Sequence, residues 1–128
     1  LTILIVDDEP LITEFLKILV KESLPDCDIT VTTDALDAVQ LIKENDFRLL
    51  ITDNNMPKMK GVELCRIFLS SQKQTCHDRA AIIVTGFGLD AKSAISHAEF
   101  TKIDILSKPI DEMALRNRIA KRHYIFQT

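Results

Sequence analysis

Apolar residues gather in five short continuous runs, and each run stops abruptly at polar or charged positions. The runs are Thr2–Val6, Ile29–Thr33, Arg48–Thr52, Ala80–Thr85 and Ile103–Ser107. Aliphatic and β-branched stretches of roughly four to eight residues, without alternation, predict strands covered on both faces. Between the runs, apolar positions recur at helical spacing. Leu11, Ile12, Phe15, Leu16 and Leu19 predict a first helix, with Asp8 as its N-cap and Pro10 in its first turn. Leu24-Pro25-Asp26 ends it. Asp34 caps a second helix running to about Asn45, with Ala35, Ala38, Val39 and Ile42 inward. A third helix from about Gly61 through Leu69 turns Val62, Leu64, Cys65 and Phe68 inward. A fourth covers Leu89 to Phe100, with Ala91, Ala94, Ile95 and Ala98 on its apolar side. A fifth spans about Asp111 to His123, with Leu115 and Ile119 inward.

Strand and helix thus alternate from end to end. That order implies right-handed crossovers, a parallel sheet and helices on both of its faces. Ser70 to Arg79 has no apolar period, and it predicts a loop longer than the usual connection of about 2–6 residues, into which the third helix can extend. No repeat, linker or low-complexity segment divides the chain, so residues 1–128 are read as one domain.

Composition narrows the picture only at its edges. The net charge is −3 over 128 residues, which argues against nucleic acid as a direct partner. No apolar run approaches the roughly 20 residues of a membrane span, and none at the start resembles a signal peptide. The three cysteines, Cys27, Cys65 and Cys76, are odd in number and lack C-x-x-C spacing, as in a reducing, cytoplasmic setting. Cys76-His77 is read as a solvated loop pair, since no second ligand pair stands at a suitable distance in the sequence.

The strand ends carry the chemistry. In a doubly wound sheet, ligands bind outside the carboxyl ends of the strands, at the switch point of the strand order. The first strand ends in Asp7 and Asp8, the third in Asp53, the fourth in Thr85 and the fifth in Lys108. The second ends in nothing distinctive, and if it is the edge strand the other four surround one crevice. Each residue alone has an ordinary reading: Asp7 and Asp8 as helix caps, Asp53 as a turn former, Thr85 as a strand residue, Lys108 as a solvated lysine. Their coincidence at four strand ends favours a site. Three crowded carboxylates repel unless a cation joins them, and a hard divalent ion such as Mg²⁺ suits oxygen ligands. With Lys108 as a mobile positive charge and Thr85 as a hydroxyl donor, the set is fitted to receive a phosphoryl group on a carboxylate.

Four motifs extend this reading: Ile5-Val6-Asp7-Asp8-Glu9-Pro10, then Asp53-x-x-Met56-Pro57-x-x-x-Gly61, then Ile83-Val84-Thr85-Gly86, then Ser107-Lys108-Pro109. Over essentially its whole length the chain resembles the receiver domain of two-component response regulators. The resemblance implies a flavodoxin-like (βα)5 fold with strand order 2-1-3-4-5. It implies that Asp53 accepts a phosphoryl group from the phosphohistidine of a histidine kinase or phosphotransfer protein. Asp7, Asp8, Asp53 and the backbone carbonyl of Asn55 would hold Mg²⁺, for which Mn²⁺ can substitute. Thr85 and Lys108 would contact the phosphoryl oxygens, and the Lys108–Pro109 bond would be cis. Helix four, strand five and helix five would form the face that meets an output domain, a partner protein or a second copy.

The chain departs from the family pattern in three places. Ile105 stands where Tyr or Phe is usual in the fifth strand, which puts the customary aromatic rotamer switch in doubt. Thr101 replaces a common Gly, and the 70–79 loop is long. A haloacid-dehalogenase type phosphatase is the catalytic rival, but it needs an acid/base Asp at the position held by Asn55. A pseudo-receiver that is never phosphorylated is the other alternative. The start at Leu1 and the lack of an output domain after the last helix leave two expectations: a stand-alone regulator, or part of a longer chain.

Overall fold

A computed structural model describes residues 1–71, 78–86 and 88–126 of the chain. In order, the elements are β1 (Thr2–Val6), α1 (Pro10–Ser23), β2 (Asp28–Thr32), α2 (Ala35–Glu44), β3 (Leu49–Thr52), α3 (Gly61–Ser70), β4 (Ala80–Thr85), α4 (Gly88–Ser93), a 3-10 turn (His97–Thr101), β5 (Ile103–Ser107) and α5 (Glu112–Phe126). Five parallel strands form one sheet in the order β2-β1-β3-β4-β5. The fold is therefore the flavodoxin-like one that the resemblance implied, with β2 at the edge.

Successive side chains of a strand point to opposite faces, and here both faces are covered. Leu4, Val6, Leu50, Ala81 and Ile83 pack with Ala38, Val62, Phe68 and Ala91 of α2, α3 and α4. Ile3, Ile5, Ile51, Ile82 and Val84 pack with Leu16, Leu19, Leu115 and Ile119 of α1 and α5. Every residue of β3 and β4 is buried. Each large aliphatic side chain there contributes roughly 1.5–3 kcal/mol, which makes the central strands a firm base for whatever stands at their ends. Among the described residues no helix is long and apolar enough to cross a membrane.

Two sequence expectations are corrected, and α1 adds a detail the periodicity left open. Leu11, Phe15 and Ile18 form an outward stripe on α1, and Leu11 is 84% exposed. The helix carries two apolar stripes, and Leu16, Leu19 and Val20 fill the interior. The fourth helix does not run to Phe100. It stops at Ser93, and the chain restarts as a 3-10 turn because Ser96 and Glu99 form a capping box, Glu99 accepting from the Ser96 N–H at 2.9 Å. Asp8 does not cap α1. Glu9 occupies the N-cap without a side-chain bond, and Pro10 opens the helix as expected. Asp34 does cap α2, accepting from Leu36 N–H at 3.0 Å. At the other end of the chain α5 runs on past His123 to Phe126. Most of the predicted loop from Ser70 to Arg79, namely residues 72–77 with Cys76 and His77, lies outside the described residues.

Candidate functional site at the carboxyl ends of the strands

Parallel pairing sets the site. Val6 is in register with Thr52, and the Asp53 N–H donates to Val6 O at 3.0 Å, so Asp7 and Asp53 leave adjacent strands side by side. Thr85 is in register with Ser107, and the Lys108 N–H donates to Thr85 O at 2.8 Å. The Lys108–Pro109 bond is cis. These pairings turn residues far apart in sequence into neighbours. Lys108 Nζ lies 3.0 Å from Asp7 Oδ2 and 3.8 Å from Asp53 Oδ2. Carboxylate oxygens of Asp7, Asp8 and Asp53 all lie within 4.8 Å of one another.

The four residues differ in their surroundings. Asp7 and Asp53 are buried, whereas Asp8 is exposed beside them. Asp7 Oδ1 accepts from Glu9 N–H at 2.9 Å, so it orients the turn into α1. Freed of any capping role, Asp8 has its carboxylate open to the crevice mouth. Asp53 Oδ1 accepts from Asn54 N–H at 2.8 Å, and the buried Thr85 hydroxyl is near enough to favour the charged form of this carboxylate. Burial pushes the Asp53 carboxyl above its ordinary value. Asp7 adds to the rise, while Lys108, the Asn54 N–H and Thr85 only partly offset it. Burial alone would lower the Lys108 ammonium, but its hydrogen bond to Asp7 and the charges of Asp53, Asp7 and Glu9 hold it above the usual lysine value.

The donor set suits a hard cation. Three carboxylates against one ammonium leave a formal excess of −3 + 1 = −2 in a small, half-buried volume, which a divalent ion with oxygen ligands would neutralise. Asn55 stands in the loop after β3, half-buried, paired with Lys60 by an isolated bridge, and its side-chain oxygen accepts from Lys60 Nζ.

Two features of this loop escaped the sequence reading. Gly61 opens α3, and a Cβ there would sit 2.1 Å from the Asp53 carbonyl oxygen: close approach is what requires glycine. The left-handed residue is Lys58, at φ 74°. Away from the crevice, Asp104 of β5 and Arg122 of α5 form a buried pair at 2.9 Å, and Arg122 also donates to Thr101 O at 2.8 Å. Both residues are charged, and neither would be placed inside from sequence.

Residues 3–120 match the response regulator receiver domain family, and the chain belongs to that family. It is 30% identical over 115 residues to an uncharacterised response regulatory protein of Vibrio cholerae, covering 89% of this chain and 41% of that protein. It is 30% identical over 117 residues to the response regulator protein PilR of Pseudomonas aeruginosa, covering 91% of this chain and 25% of PilR. The chain thus spans well under half the length of these relatives. Among solved structures, a receiver domain protein from Clostridium thermocellum superposes with a TM-score of 0.74 at 28% identity, covering 94% of this chain and 92% of that one. The response regulatory domain of MrkE from Klebsiella pneumoniae reaches a TM-score of 0.80 at 24% identity, covering 99% and 98%.

Proposed function

We propose that residues 1–128 are one phosphoacceptor domain in which Asp53 takes a phosphoryl group from a phosphohistidine of a histidine kinase or phosphotransfer protein. The observation that carries this reading is the geometry around Asp53: one buried carboxylate within reach of a second carboxylate, an ammonium and a hydroxyl. An Asp53 oxygen attacks phosphorus and the P–N bond breaks. The electron pair stays on the imidazole nitrogen, and an acyl phosphate is left on Asp53. Asp7, Asp8, Asp53 and the Asn55 carbonyl would hold Mg²⁺ or Mn²⁺, which would supply charge neutralisation for the transferring oxygens. Lys108 leaves Asp7 to pair with a phosphoryl oxygen, and Thr85 donates its hydroxyl to another. The domain is no enzyme in the ordinary sense. It assists its own phosphorylation and the hydrolysis that reverses it.

The exposed stripe of Leu11, Phe15 and Ile18 on α1 supports approach of a protein donor. The face built from α4, β5 and α5 is the surface that changes, toward an output domain, a partner protein or a second copy, in the cytoplasm and without direct contact to nucleic acid or membrane. Ile105 is half-buried against the α2–α3–α4 side of the core. Being stiff at χ1, it stays there, and the change lies in the loop after Thr85.

Acetyl phosphate with Mg²⁺ tests the reading, with mobility on a phosphate-binding gel as the readout. Wild type should shift and Asp53→Asn should not, because an amide is no nucleophile here. A wild type that never shifts with small donors or with kinases would make the chain a pseudo-receiver. Labelling that persists in Asp53→Asn would move the acceptor elsewhere.

A further inference from the structure

We propose that Asn54 is a positioning residue for the phosphoacceptor, an inference that rests on the reading of Asp53 above. Asn54 is almost fully buried at 4% exposure, and all of its polar groups but the amide nitrogen are engaged in hydrogen bonds that tie Asp53 to the start of α3. Its backbone N–H donates to Asp53 Oδ1 at 2.8 Å. Its backbone carbonyl accepts from Gly61 N–H at 2.9 Å and from Met56 N–H at 3.2 Å. Its side-chain oxygen accepts from Val62 N–H at 3.0 Å, eight residues on. That last bond is a helix cap supplied from a distance. The residue at the α3 N-cap, Lys60, makes no side-chain cap of its own. An orphan N–H of the first turn therefore depends on the residue next to the nucleophile.

The arrangement fixes one carboxylate oxygen. With Oδ1 held by Asn54 and Oδ2 facing Lys108 at 3.8 Å, the plane of the carboxylate is set from both sides. Removing the Asn54 side chain leaves its backbone N–H in place but unties the backbone at 53–54 from α3. The carboxylate then samples a wider range of orientations, and fewer of them are aligned for attack.

A cap that merely stabilised α3 would behave differently, and Lys60 makes the distinction possible. Lys60→Ser creates the sequence Ser-Gly-Val-Glu at the helix start, a capping box with Glu63. The test compares wild type, Asn54→Ala, Lys60→Ser and the double variant. For each, thermal stability, the maximal rate of labelling by acetyl phosphate with Mg²⁺, and the amide proton shift of residue 54 in metal-free protein are measured. Asn54→Ala should lose stability and slow the maximal rate roughly tenfold, less than the roughly hundredfold loss of a 1 Å misplacement. Its dependence on acetyl phosphate concentration should be unchanged. Lys60→Ser in that background should restore stability but neither the rate nor the downfield amide shift that a carboxylate acceptor gives. Recovery of rate together with stability would reduce Asn54 to a helix cap and overturn the proposal. So would an amide resonance of residue 54 that is the same in wild type and Asn54→Ala. If wild type takes no label from acetyl phosphate or from kinases, the phosphoacceptor reading fails, and the amide shift still decides whether Asn54 positions Asp53.

Discussion

The segments that follow β3 and β4 leave the same crevice toward the same side of the sheet, yet they are held by opposite means. After β3 the chain is tied by buried backbone contacts. The Asp53 N–H reaches Val6 O, the Thr52 hydroxyl donates to Asp53 O at 2.8 Å, Asn54 caps α3, and Gly61 lies against the Asp53 carbonyl. After β4, Gly86 is exposed with open space around it, and α4 is only six residues long. Among the described residues, the hydrogen bonds that tie the 3-10 turn region to α3 come from Arg66, which donates to Glu99 at 2.9 Å and to Ala94 O at 2.6 Å. A switch needs one part that holds the reacting group still and another whose alternative arrangements cost little. The many buried ties on the β3 side have the first character, and the sparser ties on the β4 side are what the second would require.

The sharpest way to break this contrast is to add the same methyl group to each side. Gly61→Ala places a Cβ 2.1 Å from a backbone oxygen that is itself held in place, so the loop carrying Asp53 must shift. The expected loss is about 1–3 kcal/mol, the usual range for forced overpacking, together with slower labelling of Asp53. Gly86→Ala meets nothing within 4 Å and should be near neutral in urea unfolding. Equal costs at the two positions would remove the distinction between the sides.

Much of this was legible in advance. The unbroken runs at Arg48–Thr52 and Ala80–Thr85 predicted strands covered on both faces, which put Asp53 just past one strand and Thr85 at the end of the other. What could not be read was any feature in which backbone meets backbone at a distance. The Asn54 cap on α3 and the Gly61 approach depend on the loop's path, which no periodicity encodes. The inward face of α1 was ambiguous because two apolar stripes compete, and only packing against α5 and the sheet chooses between them. The break before Ser96 was readable, since Ser96-x-x-Glu99 is a helix-start signal inside an apparent helix. The Asp104–Arg122 pair was not, because burial of paired charges leaves no pattern in sequence.

A smaller effect follows from the charge held on the β3 side. Asp53 has a raised carboxyl value in the folded protein, so its ionisation works against folding. Its favourable contribution is complete below the ordinary aspartate value of about 3.9 and is lost as pH rises through the higher folded value. Asp53→Asn should therefore be more stable than wild type at neutral pH without metal. The difference should vanish as pH falls to about 3. Urea midpoints across pH measure it. An Asp53→Asn variant less stable than wild type at neutral pH, with the deficit closing toward acid, would mean that Lys108 more than offsets the cost of burial. Adding Mg²⁺ should narrow the gap at neutral pH, since binding stabilises only a form that holds the ion.

A small stability change also belongs to the tie on the β4 side. Arg66 is exposed and Glu99 half-buried, and their bidentate contact and the Ser96 N–H hold the Glu99 carboxyl down to about 2. Exposed pairs contribute little after solvent screening, so Arg66→Ala should cost less than about 1 kcal/mol. A depressed carboxyl stabilises above its ordinary value and loses that contribution as pH falls through about 2, so the cost should be constant from neutral pH down to the ordinary carboxylate range. The larger consequence should be functional. Without Arg66 the 3-10 turn is no longer tethered to α3, and the segment between Thr85 and β5 gains alternatives that do not disturb Asp53. Beryllofluoride with Mg²⁺, a stable mimic of the phosphoryl group, should then produce larger amide shifts across 90–102 in Arg66→Ala than in wild type, while the residue 54 amide changes equally in both. Enlarged shifts at residue 54 as well would show that Arg66 braces the Asp53 side too, and the two halves of the crevice would have to be treated as one body.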